Sequence, residues 1–303
     1  MKAEGRRPKA EGKFGQRSNV VALRTDPYGI SMRSDLPMTI AERSDCLHIA
    51  ASPNSKIQNR KLDHGVAVTS ISPNPAKLAR QRLCLQSWLD VGLRIIAVNS
   101  AVEISDFEIR FSDLNIDWHC CDKLTTIYDR PTQKISMLID VGRQTGQNFI
   151  LMNSDIEIYG DTQPLAEAFD LTDALTLGVR FNHHPRESRG QAMFEFWGID
   201  VFGMTPDMAA TFPDLELGVG KPTWDYLLPE HFRRLGYRFK WIRQPLFFHE
   251  LHELGWSDAE WLQGAALIQQ HYGLQLADDC IKYRLGLDVA NRSFANCQLP
   301  TEN

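Results

Sequence analysis

Short apolar runs alternate with longer amphipathic stretches through the middle of the chain. The run 66–71 predicts a first strand, and the run 94–98 predicts a second. Between them, Asn74 and Pro75 form a helix cap and first-turn pair, and Gly92 supplies the stop signal of a helix. This order of strand, helix and strand is typical of an α/β fold with a mostly parallel central sheet flanked by helices.

The remaining periodic segments continue this alternation. Further strands are expected at 116–121, 149–152, 174–181, 198–204 and 239–248, and further helices around Ile135 to Gly146, at 229–235 and after Ser257. Ser257 and Glu260 form an S-x-x-E capping box, which marks the start of the last helix. We therefore expect one globular domain at 61–275, followed by an irregular tail at 276–303.

The first 60 residues differ from this domain in composition. They hold eleven of the 33 Lys and Arg residues and six of the 38 Asp and Glu residues, so the leader is basic and the rest of the chain is acidic. Apolar residues form only short islands there, so segment 1–60 is expected to be mostly disordered, or else to fold on a partner. The acidic domain argues against nucleic-acid binding, which draws much of its affinity from Lys and Arg at phosphates.

Cysteine spacing and hydropathy indicate the compartment. The six cysteines form no C-x-x-C pair, and a chain of 303 residues needs no disulfide framework, so we expect reduced thiols. No window of the sequence reaches the roughly 18 consecutive apolar residues of a membrane span. The sequence therefore predicts a cytoplasmic protein, either soluble or peripheral at a membrane.

One apolar run ends in a cluster of oxygen ligands. The run 149–152 stops at Asn153, Ser154 and Asp155, and period-two alternation predicts that Asn153, Asp155 and Glu157 share one strand face. Carboxylates at a strand end suit Mg²⁺ or Mn²⁺, which need few protein ligands when substrate phosphates complete the coordination shell. The alternative is a surface turn after the strand, where polar residues are common.

Two histidines lie three positions apart near the end of the last predicted strand. His249 and His252 can face one site if the segment turns helical there, and an imidazole ligand suits Mn²⁺ better than Mg²⁺. His249 is the preferred ligand, because it continues the strand towards the edge where α/β sheets bind ligands, and His252 is the second choice. Alternatively, each histidine is partly buried and hydrogen-bonded to the backbone.

Five motifs in order carry a resemblance to a known enzyme group. They are the strand VAVTSIS with a helix containing Arg80-Gln81 and Ser87-Trp88, the strand ending at Asn99, the triplet Asn153-Ser154-Asp155, the segments GIDVFGM and LELGVGKPTWDYLLP, and the segment FFHELH. From about residue 66 to residue 256, the chain resembles bacterial GT-A glycosyltransferases of the nucleotide-diphospho-sugar transferase group. Asn153 departs from the familiar metal motif, which has Asp there, so Asp155 must contribute more of the metal binding.

The resemblance implies where the donor and the metal bind. Base and ribose are expected near Thr69, Ser70, Ile71 and Asn99, and the metal at Asp155 and His249, beside Asn153. Arg80 and Lys134 are candidates for a different reason, because their positive charge can offset the negative charge that develops on the diphosphate. The implied reaction transfers a sugar from a nucleoside-diphosphate sugar, with a UDP-sugar favoured, to the hydroxyl of a glycan or another acceptor. The implied cofactor is Mn²⁺ or Mg²⁺. Alternatively, Arg80 and Lys134 face solvent, as most cations on such helices do.

Two further acidic residues are candidates for catalysis. Asp200 interrupts an apolar strand, where a carboxylate needs a partner or a ligand, so it either binds sugar hydroxyls or forms a buried cap. Asp225 follows Trp224 after a Gly-rich loop, and the resemblance implies that it deprotonates the acceptor hydroxyl as general base. The alternative for Asp225 is a charge that favours the N-terminus of the following helix.

Two other functions compete with this one. A sugar-nucleotide pyrophosphorylase shares the nucleotide-binding sheet but begins with a Gly-rich loop after the first strand, whereas the loop here, SISPNPAK, contains no glycine. A non-catalytic module that binds nucleotides or carbohydrates would share the fold without the activity. The sequence therefore predicts a metal-dependent glycosyltransferase of glycan or polysaccharide biosynthesis, with these two functions as alternatives.

Overall fold

A computed structural model describes residues 65–128, 131–170, 173–184, 192–252 and 255–273, and the predicted leader at 1–60 and tail at 276–303 lie outside them. The strands are Val66–Thr69 (β1), Arg94–Asn99 (β2), Ile116–Cys120 (β3), Leu124–Thr125 (β4), Thr132–Gln133 (β5), Phe149–Met152 (β6), Ile156–Ile158 (β7), Ala174–His183 (β8), Met193–Met204 (β9) and Arg238–Glu250 (β10). The helices are Pro75–Asp90 (α1), Ala101–Arg110 (α2), Ile135–Gln144 (α3), Gln163–Phe169 (α4), Pro206–Ala210 (α5), Trp224–Arg234 (α6) and Asp258–Tyr272 (α7).

Most strands of the main sheet run in one direction. The strand order is β3-β2-β1-β6-β9-β8-β10-β7, and β4 and β5 form a separate pair. The pairs among β3, β2, β1 and β6 are parallel, β9 runs antiparallel between β6 and β8, and β10 is again parallel to β8. Only β9 and β7 are therefore reversed within this sheet. This arrangement confirms the predicted α/β fold of GT-A type, with a Rossmann-like, mostly parallel sheet flanked by helices.

Helices cover both faces of the sheet. All four residues of β1 are buried, and Val66 and Val68 pack into one core with Leu138 of α3, whereas Ala67 packs into a second core with Trp88 of α1. A strand that is buried on both faces needs apolar side chains at every position, which explains the continuous apolar runs in the sequence. Burying a large apolar side chain contributes roughly 1.5–3 kcal/mol, so the two cores supply most of the favourable free energy of folding.

Local signals set the helix ends close to the predicted positions. The Asn74 side chain caps α1 by accepting a hydrogen bond from Ala76 N at 3.1 Å. After α1, Gly92 adopts a φ of 91°, which a residue without Cβ reaches at little cost. The capping box of α7 is formed as predicted, since Ser257 and Glu260 each bond the other's backbone N–H.

The Ser87-Trp88 pair ties α1 to β7. Trp88 Nε1 donates to Ile156 O at 2.7 Å, and Ile158 N donates to Ser87 Oγ at 3.0 Å. The first bond holds the start of β7 and the second holds its end, and β7 is the short strand that follows the predicted metal motif. The pair therefore positions the segment that leaves the candidate site.

The sequence did not predict six of these elements, which are α2, α4, α5, β4, β5 and β7. α2 has the capping box Ser100-Glu103, but Val102 and Ile109 are exposed and Phe107 is its one buried residue, so its apolar positions do not mark one face. β7 has only three residues, and it forms because β10 offers an antiparallel edge to it. Sequence periodicity cannot detect a strand of this length, because pairing with a distant segment creates it.

Candidate active site

The carboxyl ends of β1, β2 and β6 lie at the point where the strand order reverses. The chain proceeds from β1 outward to β2 and β3, and then returns to form β6 on the other side of β1. A crevice opens outside the strand ends at such a switch point, and open α/β sheets bind ligands there. Thr69 ends β1, Asn99 ends β2 and the turn 153–155 follows β6, so these predicted site residues share one edge of the sheet.

The predicted metal motif, Asn153-Ser154-Asp155, forms a turn (the metal turn) and does not continue strand β6. After β6, Ile156 N donates to Asn153 O at 3.1 Å, and the chain then enters β7, which pairs with β10. The prediction that Asn153, Asp155 and Glu157 alternate on one strand face is therefore wrong. Asp155 is partly exposed in the turn, whereas Glu157 is buried on β7.

Asp155 meets two histidines at the end of β10. Its Oδ2 atom lies 3.2 Å from His252 Nε2 and 3.9 Å from His249 Nε2, and the two imidazole nitrogens are 3.3 Å apart. Two atoms that each lie about 2.1 Å from one ion can be at most about 4.2 Å apart. The three ligand atoms are therefore spaced to hold a divalent cation. Both histidines are within reach of that position, including His252, which the sequence ranked second.

His249 presents a neutral nitrogen to this cluster. β10 places it opposite Asn182 of β8, and its Nδ1 donates to Asn182 Oδ1 at 3.1 Å. With the proton on Nδ1, the Nε2 atom carries the free lone pair. Burial lowers the pKa of His249 to about 4, with Asp155 acting in the opposite direction. The ring is therefore uncharged near neutral pH, which is the form that binds metals.

Asp155 stays ionised in this cluster, although its side chain is only partly exposed. Burial alone would raise its pKa, but the hydrogen bond from His252 and the electrostatic effect of His249 and Lys77 outweigh burial and hold the pKa well below its usual range. An ionised carboxylate is the oxygen ligand that Mg²⁺ and Mn²⁺ prefer. Both the protonation states of Asp155 and His249 and the spacing of the ligand atoms therefore suit the binding of a divalent cation.

Lys77 is a residue of this cluster that the sequence reasoning missed. It lies in the first turn of α1, and its Nζ atom is 3.5 Å from His252 Nε2 and 3.9 Å from Asp155 Oδ2. Lys77 precedes Arg80 by three positions, so the two side chains lie on the same side of the helix. That spacing was the available signal, because Arg80 was already a candidate.

Arg80 connects the segment after the metal turn to β10. Its Nη2 donates to Glu157 Oε2 at 3.2 Å, and its Nη1 lies 3.8 Å from Glu250 Oε2. Both carboxylates neighbour the cluster in sequence, Glu157 after Asp155 and Glu250 after His249. The guanidinium therefore connects β7, which follows Asp155, to β10, which carries His249, and its contact with a diphosphate stays a prediction.

Lys134 anchors a different loop. It forms ion pairs with Glu216 and with Asp214, the latter at 3.7 Å, and the hydrogen bond that its ammonium donates to Glu216 raises the pKa of Lys134. Its backbone also bridges to Gly218. Lys134 thus holds the start of α3 against segment 214–218, and its predicted role at the donor stays a prediction.

Asp200 is buried and has two side-chain partners. Its Oδ1 accepts from Asn153 Nδ2 at 2.8 Å, and its Oδ2 accepts from Arg180 Nη1 at 2.6 Å. These contacts supply the partners that a buried carboxylate needs. They also orient the Asn153 amide, two residues before Asp155. Asp200 is therefore placed to position the metal turn, and this favours the interpretation of a buried structural group.

The loop after β1 is held by a buried amide. Asn99 Oδ1 accepts from Ile71 N at 3.1 Å, and its Nδ2 donates to Ile71 O at 2.9 Å. Ser70 Oγ donates to Gln133 Oε1 at 3.0 Å. Thr69 is fully buried at the end of β1. These bonds fix the loop expected to carry base and ribose, so Asn99 shapes the loop through its amide.

Gln81 joins this loop to the metal turn. Its Oε1 accepts from Ser72 N at 2.7 Å and from Ser154 Oγ at 2.7 Å, and its Nε2 donates to Ser72 O at 3.0 Å. The side chain is enclosed, with the residue 1% exposed. The Arg-Gln pair of the resemblance therefore has a structural explanation, in which Gln81 sets the distance between two loops of the site.

Asp225 is the second residue of α6, which begins directly after a strained residue. It lies in the first turn, partly exposed, and Thr223 before it has a φ of 81°, which is uncommon for a β-branched residue. Thr223 is buried against Gly264 of α7, and such packing can hold a strained backbone. Strain of this kind clusters at functional sites, but a first-turn carboxylate also suits the helix N-terminus. The general-base role of Asp225 stays a prediction.

Comparisons with known proteins give distant structural similarity. No family model matches the chain, and no curated protein matches it. Similar solved structures include mannosyltransferase PcManGT from Pyrobaculum calidifontis in complex with GDP-Man and Mn²⁺, at 10% identity and a TM-score of 0.45, covering 80% of this chain and 79% of that one. S. aureus TarS 1-349 in complex with UDP-GlcNAc has 9% identity and a TM-score of 0.43, covering 71% of this chain and 74% of that one.

A third similar structure is 4-diphosphocytidyl-2C-methyl-D-erythritol synthase from Anaerococcus prevotii, at 12% identity and a TM-score of 0.39, covering 68% of this chain and 99% of that one. Similarity at this level does not define a function, so the interpretation of the site rests on its own geometry. Among the helices of the described residues, none has the length and the apolar character that a membrane span requires.

Proposed function

We propose that this chain is a metal-dependent glycosyltransferase, which moves a sugar from a nucleoside-diphosphate sugar to an acceptor hydroxyl. The observation that carries the proposal is the cluster of Asp155, His249 and His252 at the switch point of a mostly parallel sheet. The order of the sequence motifs supports the same reaction.

The donor side of the proposal uses residues of the cluster and its surroundings. Asp155, His249 and His252 would supply one carboxylate and two imidazoles, a ligand set that suits Mn²⁺ better than Mg²⁺. A bound ion supplies Lewis-acid chemistry, because it stabilises the negative charge that grows on the departing nucleoside diphosphate. Lys77 places a further positive charge 3.9 Å from the Asp155 carboxylate, where it would stabilise phosphates bound at this cluster. A UDP-sugar is the favoured donor.

The acceptor side rests on Asp225. An unprotonated carboxylate within hydrogen-bond reach of the acceptor hydroxyl can orient that hydroxyl and take its proton. Asp200 is assigned a positioning role, because its two oxygens bond Asn153 and Arg180. The proposed acceptor is a glycan or another hydroxyl compound.

Thermal unfolding with Mn²⁺ and UDP tests the donor site. A ligand that binds only the native state raises stability, by about 2.7 kcal/mol at one hundred times its Kd. Mn²⁺ and UDP together should raise the midpoint for the wild type and for Asp113→Ala, which removes an exposed carboxylate paired with Arg82. Asp155→Ala should lose this rise while it keeps the unfolding midpoint of the free protein within a few degrees. An equal rise in both variants would exclude Asp155 as a ligand.

Product analysis separates the proposed reaction from its alternatives. A glycosyltransferase incubated with Mn²⁺ and a panel of nucleotide sugars should release the nucleoside diphosphate, at least slowly by transfer to water. A pyrophosphorylase would instead form nucleoside triphosphate from pyrophosphate and a nucleotide sugar. A protein that binds UDP with Mn²⁺ and consumes none of the panel would be a non-catalytic binding module.

A further inference from the structure

We propose that Lys77 is a built-in competitor of the metal, whose ammonium group compensates the charge of Asp155 until the metal and the donor diphosphate bind together. This inference rests on the function proposed above. It starts from position, since Lys77 Nζ lies 3.9 Å from Asp155 Oδ2 and 3.5 Å from His252 Nε2. Those two atoms belong to the set of candidate metal ligands.

The charge of the cluster makes this position significant. Asp155 is the one carboxylate among the three candidate ligands, and the two histidines bind metal as neutral rings. A divalent ion held by them would keep a net positive charge beside the Lys77 ammonium. At about 4 Å, repulsion between a divalent ion and a unit charge weakens binding more than tenfold, even at the dielectric constant of water. The metal alone is therefore expected to bind weakly.

A bound diphosphate would offset the repulsion between the metal ion and the Lys77 ammonium. It brings negative charge to the metal, and it offers Lys77 an alternative partner to Asp155. The Lys77 side chain is 26% exposed on the first turn of α1, so its flexible stem can carry the ammonium from the carboxylate to a phosphate oxygen. Metal and diphosphate should consequently bind with positive coupling, and the coupling must be the same whichever ligand binds first. Lys77 would thus make the site bind the metal tightly only when the donor diphosphate is also bound.

Calorimetry of the full chain tests the idea, with MnCl₂ titrated in the absence and in the presence of saturating UDP. Titration of Mn²⁺ into UDP alone provides the correction for complex formation in solution. Lys77→Met keeps the length of the side chain and removes the charge. Arg82→Met is the matched control, because it removes one positive charge from the same helix on the side that faces Asp113.

Lys77→Met should bind Mn²⁺ alone about tenfold more tightly than the wild type, and UDP should increase its Mn²⁺ affinity about tenfold less. Arg82→Met should match the wild type within about twofold on both measures. The proposal is overturned if Lys77→Met binds Mn²⁺ alone no more tightly than the wild type while Asp155→Ala loses binding, a result that leaves the metal site standing. If the wild type binds no Mn²⁺ with or without UDP, the proposed function fails as well.

Discussion

Gln81 provides a direct test of how the two loops of the site are held together. Its carboxamide makes two hydrogen bonds with the Ser72 backbone and accepts one from the Ser154 hydroxyl, in a position that is 1% exposed. Gln81→Ala removes all three bonds at once. It also leaves the buried Ser154 hydroxyl without this acceptor.

The expected loss of stability follows from these contacts. A hydrogen bond contributes about 0.5–1.5 kcal/mol net, and each buried methylene that is removed costs about 0.8 kcal/mol. Ser72 is only half-buried, so water replaces part of its bonding after the substitution. We therefore expect Gln81→Ala to lower the free energy of unfolding by about 3 kcal/mol, within the usual range for a broken buried network.

Urea unfolding with a chelator present measures this loss without metal. The control is Gln86→Ala on the same helix, because Gln86 is exposed and its amide contacts the Asp90 side chain at 2.8 Å. That control should cost no more than about 0.5 kcal/mol. Gln81→Ala should also weaken Mn²⁺ binding, since Ser154 precedes the proposed ligand Asp155. Equal stabilities for the two variants would refute the assigned role of Gln81.

Three further predictions follow from individual contacts. With metal chelated, the free energy of unfolding should fall by about 3 kcal/mol as pH drops from 6.5 towards 4. His249 has a pKa of about 4 in the folded state, so between these pH values the imidazole binds a proton in the unfolded state but not in the folded state. In urea titrations at several pH values, His249→Gln should flatten this slope, except for a part due to His231, whose pKa burial also lowers. Gly264→Ala should lower the free energy of unfolding by about 1–3 kcal/mol, because a Cβ at this position would lie 2.2 Å from Thr223 Oγ1. Scanning calorimetry measures this loss, and an unchanged unfolding midpoint would contradict the tight packing of Gly264 against Thr223. Asp225→Asn should reduce transfer roughly 10²- to 10⁴-fold with nearly constant donor affinity, whereas a collapse of donor binding would make Asp225 a donor ligand.

The sequence by itself determined the elements that depend on local chemistry. The cap at Asn74, the capping box at Ser257 and the apolar run before Asn153 each predicted an element that the structure contains. Period and capping are properties of neighbouring residues, so they can be detected without knowledge of the fold. The alternation of these elements was sufficient to predict the α/β class, and it indicated the edge of the sheet at which the candidate site lies.

The tertiary structure alone decided which side chains meet at that edge. Pairing with β10 turns the chain after Asn153, so Glu157 leaves the site and Asp155 remains in it. The same pairing brings His252 beside Asp155, and the packing of α1 on β7 adds Lys77, which was not among the predicted site residues. Contacts between distant segments depend on strand order and helix packing. Neither can be inferred from the local patterns of a single sequence.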